Sequence, residues 1–204
     1  MKKITGKMIA VALVATAAVG ANALTFSNFV ITGDAGIIGT LGTDHFIKTY
    51  DCDVDITFNK AWVGDNLPLR STTISITFLV TAGANEMITG VQLAGNALAT
   101  GSGLVQVSEI VEDQNDFTNG INDGVLVTST TSGSFNKAWT LRKPAKFIKV
   151  KKSIFLSAPN TDARDLAGIG LVEQRFIKAV PEPASIAAMG LGVLALVARR
   201  RKSK

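Results

Sequence analysis

The chain has 204 residues, 18% of them charged, and a formal net charge of +5 at pH 7. That excess sits in the two ends: residues 24–180 hold thirteen basic and fifteen acidic side chains, so the central region is near −2 and its charge implies no nucleic-acid partner. A single cysteine, Cys52, excludes an intrachain disulfide framework, and the 157 residues between the ends are ample for one domain with its own core.

In chain order, Lys2, Lys3 and Lys7 precede an uncharged apolar run from Met8 to Gly20, which Ala21-Asn22-Ala23 closes as a small-x-small site. A positive start, a short apolar middle and a small-residue end are the three parts of a secretory signal peptide. Residues 1–23 are therefore expected to be cleaved after Ala23, leaving Leu24 first. The run is too short for a stable membrane span.

From there the pattern has period two. Tyr50, Cys52, Val54, Ile56 and Phe58 alternate with Asp51, Asp53, Asp55, Thr57 and Asn59, which predicts a strand with one inward and one wet face. Ile74, Ile76, Phe78 and Val80 alternate in the same way. Further strands are predicted at 25–32, 88–94, 103–111, 124–131, 145–150, 153–157 and 168–178, separated by Gly, Asn, Asp and Pro clusters. No long amphipathic helix pattern interrupts them. The expected fold over 24–179 is all-β, an antiparallel β-sandwich, with a barrel as the alternative.

The pentapeptide Phe-Asn-Lys-Ala-Trp occurs at 58–62 and again at 135–139, and it holds both tryptophans, Trp62 and Trp139. Phe78-Leu79 and Phe155-Leu156 recur at the same offset of 77, which favours two duplicated halves. The tryptophans are either core side chains, the favoured reading, or a pair of sugar-stacking platforms.

Few residues carry recognisable chemistry. His45 is the only histidine; it lacks a G-x-S-x-G nucleophile elbow, and Cys52 would serve it only if the fold brought the two together. One histidine and one cysteine are too few for a zinc site, and no phosphate-cradling glycine loop is present. Asp51, Asp53 and Asp55 resemble the start of a calcium loop, but the glycine such a loop needs is Ile56, so they read as the wet face of a strand. Residues 112–124, EDQNDFTNGINDG, are rich in oxygen ligands yet read as a solvated hairpin loop. No catalytic residue, metal or cofactor is expected, and the protein is read as a non-enzyme. The stretch 142–152 holds six bases, and Lys149 and Lys151 alternate with apolar residues. Such a strand either binds an anionic polysaccharide or protects a sheet edge. Charge is split, −9 over 24–134 and +7 over 135–180, which either favours head-to-tail association or a charged, anion-binding face, or cancels if the two halves are neighbours in the fold, the favoured reading.

The end of the chain has three parts. Val180 precedes Pro181-Glu182-Pro183, Ala184 to Ala198 is an uncharged helix-former run, and Arg199, Arg200, Arg201 and Lys202 follow at once. Fifteen helical residues span about 22 Å, short of the ~30 Å hydrocarbon core, so the run reads as a weak transmembrane helix and transient anchor. The basic cluster acts as a stop-transfer signal and stays cytoplasmic, with everything before Pro181 outside. These three parts in this order resemble the PEP-CTERM sorting signal. The resemblance implies recognition and removal of the tail by an exosortase, a membrane-embedded protease. It also implies a secreted protein in the envelope, outer surface or extracellular matrix of a Gram-negative bacterium that makes exopolysaccharide and biofilm. The function expected from this is structural or adhesive, with a carbohydrate-binding module using Trp62, Trp139, Lys149 or Lys151 as the alternative.

Overall fold

A computed structural model describes residues 8–13, 23–64, 67, 69–115, 121–129, 131–160 and 165–179. The expected signal residue Ala21, the centre of the 112–124 loop, and all of Pro181, Glu182, Pro183, the 184–198 helix and Arg199 to Lys202 lie outside the described residues. Among the described residues no helix is long and apolar enough to cross a membrane.

Two antiparallel sheets face each other. The strands are β1 (Met8–Leu13), β2 (Thr25–Asp34), β3 (His45–Thr49), β4 (Asp53–Phe58), β5 (Trp62–Gly64), β6 (Ser71–Thr81), β7 (Met87–Thr100), β8 (Leu104–Asp113), β9 (Ile121–Ser129), β10 (Gly133–Ala145), β11 (Phe147–Ser157) and β12 (Leu166–Ala179). One turn of helix, α1 (Ala35–Ile38), starts at Asp34, whose carboxylate accepts from the Gly36 N–H. The first sheet runs β1-β2-β6-β11-β8-β9 and the second β10-β7-β12-β4-β3, with β5 also paired to β12. The antiparallel sandwich expected from the period-two pattern is the observed fold.

The alternation explains the packing. On β6 the side chains of Ile74, Ile76, Phe78 and Val80 are fully buried, and on β11 those of Ile148, Val150, Ile154 and Leu156. The sheets meet through aromatic contacts: Phe78 of β6 lies edge-on to Phe176 of β12 at 6.4 Å, and Phe26 of β2 approaches the same ring at 5.7 Å. Phe29 stacks on Phe78 at 4.9 Å. Burying a side chain of this size stabilises by roughly 1.5–3 kcal/mol, so these inward rows dominate the fold.

Several expectations are corrected. The predicted strands 145–150 and 153–157 are one strand, β11, because Lys151 and Lys152 continue the alternation. β11 pairs on both sides, with β6 and β8, so its lysines do not protect an edge. β10 was not predicted, since Pro144 and a polar run disguise it; it is an edge strand, where a missing N–H is tolerated. β4 starts only at Asp53, which leaves Tyr50 exposed at 53% and Cys52 half-buried rather than inward. In the full chain, which still carries the expected leader, Met8–Leu13 pairs along β2 from Met8↔Asp34 to Leu13↔Phe29; this pairing does not bear on cleavage after Ala23.

The strand order also bears on the repeat. Matching β2 with β8, β4 with β10, β6 with β11 and β7 with β12 makes β2-β6-β11-β8 and β10-β7-β12-β4 read the same in both directions. The residue-level repeat does not follow this symmetry. Phe78 points inward, whereas Phe155 lies on the outer side of β11 between buried Ile154 and Leu156.

Candidate functional site

The outer face of the second sheet gathers the polar side chains that alternation sends outward from β3, β4, β7, β10 and β12. Cross-strand register places Arg175 of β12 between Asp53 of β4 and Gln92 of β7, and Glu173 between Asp55 and Ala94. Asp55 in turn lies opposite Lys48 of β3. Arg175 Nε donates to Asp53 Oδ1 at 3.0 Å, and Gln92 Nε2 donates to Asn136 Oδ1 at 2.8 Å. The hydrogen bond and charge of the Asp53 carboxylate push the Arg175 guanidinium pKa further up, so the guanidinium stays charged. With Tyr50 at its mouth, this patch forms a concavity of about 440 Å³. Arg175 pairs with Asp53, and Lys48 stands cross-strand from Asp55.

Further along the same strands the face turns apolar. Trp62 opens β5 opposite Gly168 of β12, and Gly168 lies opposite Leu98 of β7. Trp62 is 42% exposed and Leu98 40%. With Asn96, Ile169 and Gly170 they line a second concavity of about 460 Å³. A Cβ at Gly168 would stand 2.9 Å from Trp62 Cβ, so glycine is what lets β5 approach β12 this closely.

The structure does not bring the two tryptophans together. Trp139 lies opposite buried Val91 and packs against the core, with its Nε1 enclosed and unpartnered among the described residues. Core packing therefore holds for Trp139 and not for Trp62. The pentapeptides differ because the first is broken by a bend at Asn59-Lys60 while the second runs unbroken within β10. Asn59 Nδ2 donates to Thr43 O at 2.9 Å and Lys60 Nζ pairs with Asp44 at 2.7 Å, tying the bend to the turn before β3.

His45 is a buried structural residue. Its Nδ1–H donates to Ile38 O at 2.8 Å and joins α1 to β3. It sits opposite Phe58, at the far end of β4 from Cys52, a separation of roughly 20 Å at ~3.4 Å per residue. Among the described residues no group of three or more His, Cys, Asp or Glu side chains is placed to hold a metal ion. Lys149 and Lys151 lie on the outer face of the first sheet, away from both concavities, and Lys151 pairs with Glu112.

Two arrangements were not anticipated. Asp165 accepts from the Ser102 N–H at 2.6 Å, from the Ser102 hydroxyl and from the Asn160 N–H at 2.7 Å, pinning the β7–β8 turn to the segment before β12. Burial would raise its carboxyl pKa, but these donors hold it below the usual range. The other is a buried trio of Lys152, Glu109 and Gln174. Its signal was present in the sequence: Lys152 falls in the inward register Ile148, Val150, Lys152, Ile154, and Glu109 in Val105, Val107, Glu109, Val111.

Among curated proteins, none matches the chain. Of solved structures, TmCBM61 in complex with β-1,4-galactotriose is 14% identical, covering 72% of this chain and 88% of its own, with a TM-score of 0.38. The enzymatically active domain of bacteriophage CBA120 tailspike protein 4 is 11% identical, covering 78% of this chain and 20% of its own, at 0.35. CBM4 is 9% identical, covering 74% and 86%, at 0.29. Scores below 0.5 at these identities carry no inference about ligand or activity. A family model does match the C-terminal segment, where the three-part tail was read. At residues 179–202 the chain carries a PEP-CTERM protein-sorting motif, the mark of a secreted, envelope-associated protein.

Proposed function

We propose that the sandwich is a non-enzymatic structural or adhesive module of the cell envelope or exopolysaccharide matrix, which docks polysaccharide on the outer face of its second sheet. An exosortase-type protease would act on the PEP-CTERM tail and end its transient membrane anchorage. The observation that carries the binding reading is Trp62, 42% exposed and lining one concavity with Leu98 and Gly168. An indole face suits the apolar face of a pyranose ring, and Gln92, Asn136, Asp53 and Arg175 on the same sheet face supply donors and acceptors for hydroxyls. Lys149 and Lys151, on the opposite outer face, take no part.

The test is retention of the protein on a panel of neutral and acidic polysaccharides by affinity electrophoresis, with Trp62→Ala compared to Lys149→Ser/Lys151→Ser. A tenfold loss with Trp62→Ala, about 1.4 kcal/mol, at unchanged melting temperature supports the reading. Unaltered retention of Trp62→Ala, or loss confined to the lysine variant, contradicts it.

A further inference from the structure

Polysaccharide docking leaves the buried trio at the centre of the sandwich without a role. Lys152 of β11 and Glu109 of β8 are direct cross-strand partners in the first sheet. Gln174 comes from β12 of the opposite sheet. All three side chains are buried, and Lys152 Nζ contacts both Glu109 Oε2 and Gln174 Oε1. Their cross-strand partners Ile76, Val54 and Leu93 and their same-face strand neighbours Val107 and Ile154 are buried apolar residues, and the Lys152 and Glu109 side chains are wholly closed off from water.

As an ion pair this arrangement is poor. Glu109 Oε1 and Gln174 Nε2 have no hydrogen-bond partner among the described residues, although the Gln174 amide lies close enough to Glu109 to favour its charged form. A buried pair repays its desolvation only when its remaining donors and acceptors are satisfied, and here they are not.

We infer that Lys152 and Gln174 are joined by an intramolecular isopeptide bond, formed with Glu109 as the proton carrier, which ties one sheet covalently to the other. The lone pair of the Lys152 amine attacks Gln174 Cδ, and the carbonyl π electrons move to Oε1. A proton from Nζ passes through Glu109 to Nε2. The Cδ–Nε2 bond then breaks as the carbonyl re-forms, and ammonia leaves. One amide is made, one ammonia is released, Glu109 is regenerated, and nothing is oxidised or reduced. The orphaned donor Nε2 departs as the leaving group, which removes the unsatisfied atom.

The protonation states match this chemistry. Burial pushes the Lys152 ammonium down, against the pull of Glu109, and so favours the neutral nucleophilic amine. Burial likewise pushes the Glu109 carboxyl up, against the charge and hydrogen bond of Lys152, toward the protonated acid that can give a proton to the leaving nitrogen. Such a link would do in an exported protein with one cysteine what a disulfide does elsewhere.

The experiment is peptide mapping of the purified full chain by tandem mass spectrometry after digestion in denaturant. The expected result is a branched peptide joining the segments that contain Lys152 and Gln174, lighter than their sum by one ammonia, with trypsin no longer cutting after Lys152. Glu109→Gln, shown to be folded by circular dichroism, should give the two linear peptides. Linear peptides from the native chain overturn the proposal. So does a link between Lys152 and Glu109 with loss of one water, and complete cross-linking in Glu109→Gln overturns the role given to Glu109. Should that variant fail to fold, amine labelling of the unfolded native chain still decides: a labelled Lys152 contradicts the bond.

Discussion

Trp62 and Trp139 occupy matching places in a repeated pentapeptide and opposite faces of one sheet. Trp62→Ala removes an indole that already meets solvent, so stability should change by less than about 0.5 kcal/mol. Trp139→Ala opens a gap beside Val91 and should cost roughly 2–3 kcal/mol, less than a fully buried indole because Trp139 is only partly enclosed. Chemical denaturation of the two variants checks this contrast. Two carboxylates give the protein an acid limit. The Lys60 hydrogen bond and the Thr40 N–H hold Asp44 below the ordinary carboxylate range, and the Ser102 and Asn160 donors do the same for Asp165. A depressed folded pKa contributes stability that is present above the unfolded value, about 4, and is lost as pH falls through the folded one. Melting temperature should therefore fall on acidification below about pH 4. Asp165→Asn should melt lower at neutral pH and lose part of that acid dependence; an unchanged pH profile would contradict the assignment.

The elements were legible where alternation was clean and obscured where a buried charge or an edge strand broke it. β6 showed in its Ile-Ile-Phe-Val row, and β12 in the run 168–178, because burial on one face forces period two. β11 looked like two strands because a lysine at an inward position reads as an interruption, although the alternation runs on through Lys152 and the opposing Glu109 and Gln174 supply its polar partners. β5 and β3 are too short to carry a pattern of their own. The exposed site was half visible: Trp62 stood out by residue type, but its face depends on the Asn59-Lys60 bend and on pairing with Gly168, which are tertiary facts. Close strand packing makes a specific demand at Gly95, deep in β7. A Cβ there would meet Leu171 O at 2.3 Å and the Phe135 ring at 2.7 Å. Gly95→Ala should displace β10 or the β12 bulge and lower stability by more than about 1 kcal/mol. A melting temperature equal to that of the native protein would show the two strands to be further apart.

Over the whole molecule, the charge split of the sequence cancels within the fold. Lys151 with Glu112, Arg175 with Asp53 and Lys178 with Glu86 each join a base of the later half to an acid of the earlier one. The asymmetry therefore reflects how two halves with related strand order complete each other rather than a charged docking face. An exposed pair such as Arg175–Asp53 stabilises little, so the sandwich rests on its apolar rows. The sorting motif at 179–202 begins where β12 ends, so a compact sandwich hands over directly to its export tail. Intact mass of the protein recovered from its native envelope and medium tests this organisation most directly. A secreted chain beginning at Leu24 and ending near Pro181 is the predicted result. A chain that still runs through Lys204 in both fractions would contradict release from the tail.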